Sequence, residues 1–245
     1  TKTDEPFKAL RNQGMILGPD NRKMSKSWGN VINPDECIET YGVDAFRMYE
    51  MFIGPFDGSL PWSTDSIIGS RRFVDRVYRL HEKIVAQGAG VKSTVKVESQ
   101  LHKTIQKVTA DIENFSFNTA VSTYMILLNT IEEGTISKAD FEKFIVLLAP
   151  FAISISETVW YKLGYKDSVH LAAWPKANPK KIVEESVTVG IQVNGKLRGE
   201  IEVTATEEEK DVLARALEIV SAHIEGKEVR KTIYVKGKIV SIVIS

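Results

Sequence analysis

Arg72-Phe73-Val74-Asp75-Arg76-Val77-Tyr78-Arg79-Leu80-His81-Glu82-Lys83-Ile84 carries two stripes at once. Phe73, Val77, Leu80 and Ile84 recur at spacings of four, three and four, the repeat of one apolar helix face. Arg72, Arg76, Arg79 and Lys83 keep the same spacing one position earlier, so a basic stripe runs beside the buried one. Leu101, Ile105, Val108 and Ile112 repeat the apolar period. Phe117 to Ile131, Asp140 to Leu148 and Ala152 to Leu163 add further helical segments, interrupted at Pro150 and ended near Gly164. Gly88 and Gly90 mark Gln87 to Glu98 as a loop. Residues 64–175 are thus predicted to form a helical bundle.

Downstream, residues 176–186 are polar and hold Pro179 and Lys180-Lys181, which reads as a linker. The period then switches to two. Val187, Val189, Ile191 and Val193 alternate with other residues up to Asn194-Gly195, a strong hairpin signal, and Leu197 to Val203 is the return strand. Thr206 with Glu209 three residues on predicts a capping box opening a helix to about Glu225. Glu207, Glu208, Glu209 and Asp211 suit the positive end of that helix. Thr232 to Val235 and Ile239 to Ile244 predict a second hairpin around Lys236-Gly237-Lys238. Residues 187–245 therefore read as a small α+β domain of order ββαββ.

Upstream, residues 1–63 are rich in turn signals. Asn33-Pro34-Asp35-Glu36 predicts a helix start, with Asn33 as cap, Pro34 first in the helix and Glu36 completing a capping box. Gly42 suits its end. A second helix follows from Asp44 to about Phe52, before Gly54-Pro55. The expected fold class is mainly α with a small α+β C-terminal domain.

Lys+Arg 32 balances Asp+Glu 32, so any contact with nucleic acid must come from local basic patches and not from global charge. The single cysteine, Cys37, excludes an internal disulfide and a multi-cysteine zinc site, and its helical setting predicts a core residue. His81, His102, His170 and His223 lack metal-ligand spacing, so no protein-bound metal is expected. No apolar run approaches about 18 residues and the N-terminus lacks a signal core, which together predict a cytoplasmic protein with no membrane contact.

Chemistry concentrates in Arg22-Lys23-Met24-Ser25-Lys26-Ser27-Trp28-Gly29-Asn30. Two lysines, two hydroxyls and a glycine ahead of a capped helix suit a polyphosphate. The plain alternative is a solvated basic turn. Gly-x-x-x-x-Gly-Lys-Ser/Thr is absent, which disfavours a P-loop.

Lys23-Met24-Ser25-Lys26-Ser27 resembles the second signature of class I aminoacyl-tRNA synthetases. Gly29 to Pro34 and Tyr41-Gly42-Val43-Asp44-Ala45-Phe46-Arg47 look like the same segment in the branch handling leucine, isoleucine and valine. Gly54-Pro55-Phe56-Asp57, Leu60-Pro61-Trp62-Ser63, Gly69, Arg72 to Val77 and Gln192 to Gly199 are similar to leucyl-tRNA synthetases. Valyl and isoleucyl enzymes are the nearest alternatives. The single cysteine and the lack of a sustained heptad argue against them.

The resemblance implies a catalytic-core remnant over 1–63, a tRNA-binding bundle over 64–175, the 176–186 linker and a tRNA-binding terminal domain over 187–245. It implies ATP as substrate with magnesium, leucine as the amino acid and leucine tRNA as partner. Lys26 is the expected ATP contact, supported by Lys23, with Ser25 and Ser27 shaping the loop and Met24 packing. Trp62 is expected at the junction of core and bundle. Arg72, Arg76 and Arg79, and in the terminal domain Lys196, Arg198, Arg230 and Lys231, are expected to meet tRNA phosphates. No His-x-Gly-His signature occurs in the chain. The resemblance therefore implies a fragment or one subunit of a split enzyme, inactive alone and partnered by an N-terminal catalytic and editing portion. A non-catalytic RNA-binding module with a vestigial loop is the other reading.

Overall fold

The computed structural model describes residues 6–88, 90–182, 186–204 and 207–245. The chain divides into two compact units, Thr1–Ile182 and Val183–Ser245.

In the first unit a two-residue strand, β1 (Ile16–Leu17), pairs in parallel with β2 (Leu60–Pro61). Between them lie α1 (Pro34–Tyr41) and α2 (Val43–Phe52). Asn33 caps α1 as predicted, its side chain accepting the Asp35 N–H at 3.1 Å. Glu36 meets the Asn33 side-chain amide at 3.2 Å, a variation on the expected capping box.

The bundle comprises α3 (Thr64–Ala86), α4 (Val95–Glu113), α5 (Phe117–Glu133), α6 (Lys138–Leu148) and α7 (Ile153–Lys162). The predicted apolar stripes, Phe73-Val77-Leu80-Ile84 and Leu101-Ile105-Val108, are buried in one core, and Ile112 packs against its edge. Tyr124 is fully buried and donates its hydroxyl to the Leu147 carbonyl at 2.6 Å. Burial pushes that phenol well above its ordinary pKa.

One expectation from sequence needs correction here. The loop predicted to reach Glu98 ends at Thr94, and Val95–Glu98 are helical. Tertiary contacts start the helix early. Thr94 N–H donates to the Thr135 carbonyl at 2.9 Å, and Ser93 donates its hydroxyl to Asp140 at 2.5 Å while accepting the Ser137 N–H. The predicted linker is not free at its start. Asn178 donates its N–H to His102 Nδ1 at 3.1 Å, and Lys181 pairs with Glu98 at 2.6 Å, so this stretch lies along α4. Burial, helped by Lys143 and Lys181, lowers the pKa of His102 and keeps that ring nitrogen free to accept. Residues 183–185 lie outside the described residues, and the next strand starts at Ser186.

One contact ties the loop-bearing segment to the bundle. Asp44, near the start of α2 and buried, accepts the N–H groups of Ser154 at 3.0 Å and Ile155 at 2.6 Å. These are donors of the first turn of α7 with no intrahelical partner, and α7 has no side-chain cap of its own. Arg47, on the next turn of α2, donates to the Pro150 carbonyl at 3.1 Å.

The second unit comprises β3 (Ser186–Val193), β4 (Lys196–Thr204), α8 (Glu209–Ile219), α9 (Ser221–Ile224), β5 (Val229–Val235) and β6 (Ile239–Ile244). The sheet order is β4-β3-β6-β5, two antiparallel hairpins joined by a parallel β3–β6 pair. Val189, Ile191, Ile201, Val240 and Ile242 form a core with Val212, Ala216 and Val220 of the helical segment. At the predicted hairpin Asn194 adopts φ 47°, and its side chain both accepts the Ile244 N–H and donates to the Ile244 carbonyl. The turn residue thereby extends the β3–β6 ladder. Thr206 of the predicted capping box lies outside the described residues. The helix opens at Glu209 without a side-chain cap bond, and Glu207 instead pairs with Arg215. The helix expected to run to Glu225 breaks at Val220.

Asp44→Ala is expected to lower the stability of the first unit by about 2–4 kcal/mol, because two buried N–H groups lose their acceptor. Urea unfolding of the two proteins measures it, with Arg72→Ala, at an exposed site, as a control expected within about 0.5 kcal/mol of the parent.

Candidate functional site

The lysine loop hangs between a turn at Gly18–Arg22 and the start of α1. Gly18 donates to the Arg22 carbonyl at 2.8 Å and accepts from Asn21 N–H at 2.9 Å. Met24 turns inward and packs on the cluster of Cys37, Tyr49, Trp62 and Ile67. Ser25 precedes a short 3-10 turn, Lys26–Trp28, which ends at Gly29 with φ 66°, a left-handed conformation that glycine adopts without strain. The Ser25 and Ser27 hydroxyls lie 2.8 Å apart in one hydrogen bond. Arg22 stacks its guanidinium over the exposed Trp28 ring at 4.8 Å.

One side chain holds this backbone in place. Asn30 accepts the Ser25 N–H at 2.9 Å and donates to the Lys23 carbonyl at 3.4 Å and to both oxygens of Asp20 at 3.0 and 3.2 Å. Asp20 also accepts the Arg22 N–H at 3.2 Å. The bond from Asn30 is the main influence holding the Asp20 carboxyl below the usual aspartate range. A side chain on Gly18 would sit 2.7 Å from the Asp20 carboxylate and 2.8 Å from the Asn30 amide, so this pair needs a glycine beneath it. The sequence presented Asn30 as the last residue of the lysine-bearing segment. Its partners lie within the lysine motif and in the turn before it, which no periodicity reveals.

Lys23 and Lys26 are exposed, and among the described residues neither ammonium has a hydrogen-bond or ion-pair partner. The loop therefore offers two uncompensated positive charges on a fixed backbone, beside the Ser27 hydroxyl. Such a surface can neutralise a polyphosphate. Among the described residues no three His, Cys, Asp or Glu side chains are placed to hold a metal ion. No described helix is long and apolar enough to cross a membrane.

Cys37 is buried as expected. Trp62 is buried too, edge-on to Tyr49 at 4.7 Å between ring centres, and Tyr49 accepts the Ser63 N–H at 2.7 Å.

The basic stripe of α3 is less uniform than its spacing suggests. Arg76 is engaged by Glu132 at 2.6 Å and Asn129 at 2.6 Å, both on α5, which raises its pKa and lowers that of Glu132. Arg79 bonds the Asp75 carbonyl at 3.3 Å, while Arg72 is exposed with no partner among the described residues. In the second unit Lys196, Arg198, Arg230 and Lys231 are all exposed. Arg198 and Arg230 share a feature the sequence did not signal. Ile191 pairs with Gly199 and Gln192 with Leu197, and Val229 pairs with Ile244 and Lys231 with Val243. Each arginine is thus the extra residue at a register shift in an edge strand, a place where bulges re-aim side chains.

Residues 1–58 match the family described as tRNA synthetases class I (I, L, M and V), and residues 96–214 match the anticodon-binding domain of tRNA ligase. The chain belongs to the class I aminoacyl-tRNA synthetases. Within that class its sequence is that of a C-terminal portion of leucyl-tRNA synthetase. It is 47% identical over 247 residues to the leucine–tRNA ligase of Mycoplasma mycoides subsp. mycoides SC, covering 99% of this chain and 30% of that protein. It is 44% identical over 249 residues to the leucine–tRNA ligase of Leptospira biflexa serovar Patoc, covering 99% and 29%. The chain thus spans about 30% of the length of the curated relatives it matches. The crystal structure of the Agrobacterium radiobacter K84 LeuRS-tRNA-LeuAMS ternary complex covers all of this chain with TM-score 0.73 and 29% identity, over 34% of its own chain. Mycobacterium tuberculosis methionyl-tRNA synthetase covers 68% of this chain and 41% of its own at TM-score 0.54; at 16% identity it shows the fold alone.

The carboxyl of Asp20 is expected to titrate below the ordinary aspartate value of about 3.9 and to return toward it in Asn30→Ala, followed by carboxyl NMR. A depressed folded-state pKa favours the closed turn above the ordinary value. That contribution is lost as pH falls through the depressed one.

Proposed function

We propose that this chain supplies the ATP-facing lysine loop and the tRNA-binding surfaces of a leucine–tRNA ligase. The observation that carries the reading is the pair of unpaired ammonium groups, Lys23 and Lys26, on a backbone fixed by Asn30. In leucine activation the amino-acid carboxylate attacks the α-phosphorus of ATP. A carboxyl O–P bond forms, the bond to the bridging oxygen breaks, and pyrophosphate leaves with the electron pair. Negative charge grows on the leaving group, and fixed cations there lower the barrier more than they tighten the ground state. Lys26 is assigned the contact to the departing phosphates and Lys23 supports it. Ser25 and Ser27 shape the turn, and Met24 anchors it. Magnesium, when bound with ATP, supplies further charge neutralisation on the phosphates, and no residue of this chain is assigned to hold it.

In this reading residues 1–63 form the end of the catalytic core, residues 64–175 lie along the tRNA and residues 187–245 give it a second contact. Arg72, Arg79, Lys196, Arg198, Arg230 and Lys231 meet phosphates, which position the RNA without reading bases. Arg76 can join them only by leaving Glu132. Leucylation then requires the portions that the longer relatives have beyond this span, so the chain is expected to be inactive by itself.

Lys26→Ala in the complete ligase is expected to slow leucine-dependent ATP–pyrophosphate exchange by about 100-fold, the size of one lost transition-state donor, while tRNA affinity changes little. Equal losses in both, or none in exchange, would refute the assignment and favour an RNA-binding module with a vestigial loop. Deleting Val187–Ser245 is expected to do the reverse, weakening salt-sensitive tRNA binding while pyrophosphate exchange persists. A filter-binding series in salt, run beside the exchange assay, checks it.

A further inference from the structure

Every polar atom of the Asn30 side chain is in use, and the partners all belong to the lysine loop or the turn before it. The amide bonds the two peptide units that flank Met24, through the Lys23 carbonyl and the Ser25 N–H, while Met24 itself is anchored on the apolar cluster beneath. The loop is therefore held from two sides at one residue, immediately between the two lysines. Asp20 takes the remaining hydrogen-bonding capacity of the amide and is itself held by the Arg22 N–H. Gly18 leaves the space in which the pair lies.

We infer that Asn30, paired with Asp20, is a positioning residue for amino-acid activation: it latches the loop backbone so that Lys23 and Lys26 are presented to the phosphates. The inference rests on the reading of the loop given above. Asn30 need not touch substrate. An amide is required because the site needs a donor toward a carboxylate and a carbonyl, and an acceptor toward an N–H, within one side chain. Asparagine meets that demand. Aspartate keeps the acceptor but sets a second carboxylate against Asp20. Holding charged groups in place before reaction removes reorganisation from the barrier, so loss of the latch should appear in kcat.

The test uses the complete ligase that contains this chain, with leucine-dependent ATP–pyrophosphate exchange as readout. Asn30→Asp is expected to lower kcat for exchange at least about tenfold, the rate equivalent of one lost charge-assisted hydrogen bond, with KM for leucine unchanged. Asp20→Asn combined with Asn30→Asp restores a donor and an acceptor across the pair with reversed polarity. This double variant should run faster than Asn30→Asp but slower than the parent, because the aspartate at position 30 regains the contact with residue 20 and still cannot donate to the Lys23 carbonyl; such a coupling is one that additive damage cannot produce. A purely structural role would move melting temperature and KM together and would show no such recovery. Parent-like kcat in Asn30→Asp, or a double variant no faster than the single, overturns the latch. If Asn30→Asp melts early, the double variant decides: kcat above that of Asn30→Asp supports the pairing, and kcat at or below it refutes it. Lys26→Ala, run alongside, separates the two claims. If it is slow while Asn30→Asp is not, only the latch fails. If it exchanges like the parent, the reading of the loop fails with it.

Discussion

The buried carboxylate of Asp44 does for α7 what a helix usually does for itself. The first N–H groups of a helix have no internal acceptor, and α7 lacks a capping side chain at its own start. Asp44, 110 residues earlier in the chain, accepts two of them, and its charge suits the positive end of the helix. Arg47 closes the same corner from the next turn of α2. Tyr49 on that helix binds the Ser63 backbone and meets Trp62, in the cluster on which Met24 rests. The lysine loop thus stands on a helix that is itself fastened to the bundle. The Tyr41-to-Arg47 stretch, which sequence offered as a helix boundary and a resemblance, has its physical reason in this corner.

Helices and strands were legible wherever burial imposes a period. The stripe from Phe73 to Ile84 and the alternation from Val189 to Val193 both face cores. What failed was set by partners distant in sequence. Val95–Glu98 looked like a loop because the glycines before them dominated, yet Ser93 and Thr94 are pinned by residues at Thr135, Ser137 and Asp140 and start the helix early. Nor does anything in the polar, proline-containing stretch after the bundle announce that His102 and Glu98 will accept from it. Of the candidate site, the lysines and serines were readable as a motif. Asp20 and Asn30 were not, because a side chain that organises a loop from both flanks leaves no repeat to count.

Charge distribution shows the same contrast between spacing and partnership. Arg72, Arg76 and Arg79 are equivalent on a helical wheel, but α5 brings Glu132 and Asn129 to Arg76 alone, making it a brace between two helices. Arg198 and Arg230 lie far apart in sequence, and each falls on an irregularity of an edge strand in the same sheet. A chain with no net charge can still offer anion-binding surface where an exposed base such as Arg72 has no acidic partner among the described residues.

The Asp44–α7 contact also governs how such sequences can be inherited. The cap joins residues on either side of the point where the synthetase-family match ends, at residue 58, and the anticodon-binding match begins, at residue 96. A recombination seam between those matches would take the carboxylate from one parent and the helix it caps from another. Both halves must then carry compatible corners or the hybrid loses its cap. A seam near residue 183, where one compact unit gives way to the next, leaves Asp44 and α7 in the same parent. The loop and the bundle can therefore be exchanged only as one block, or between parents that share this corner.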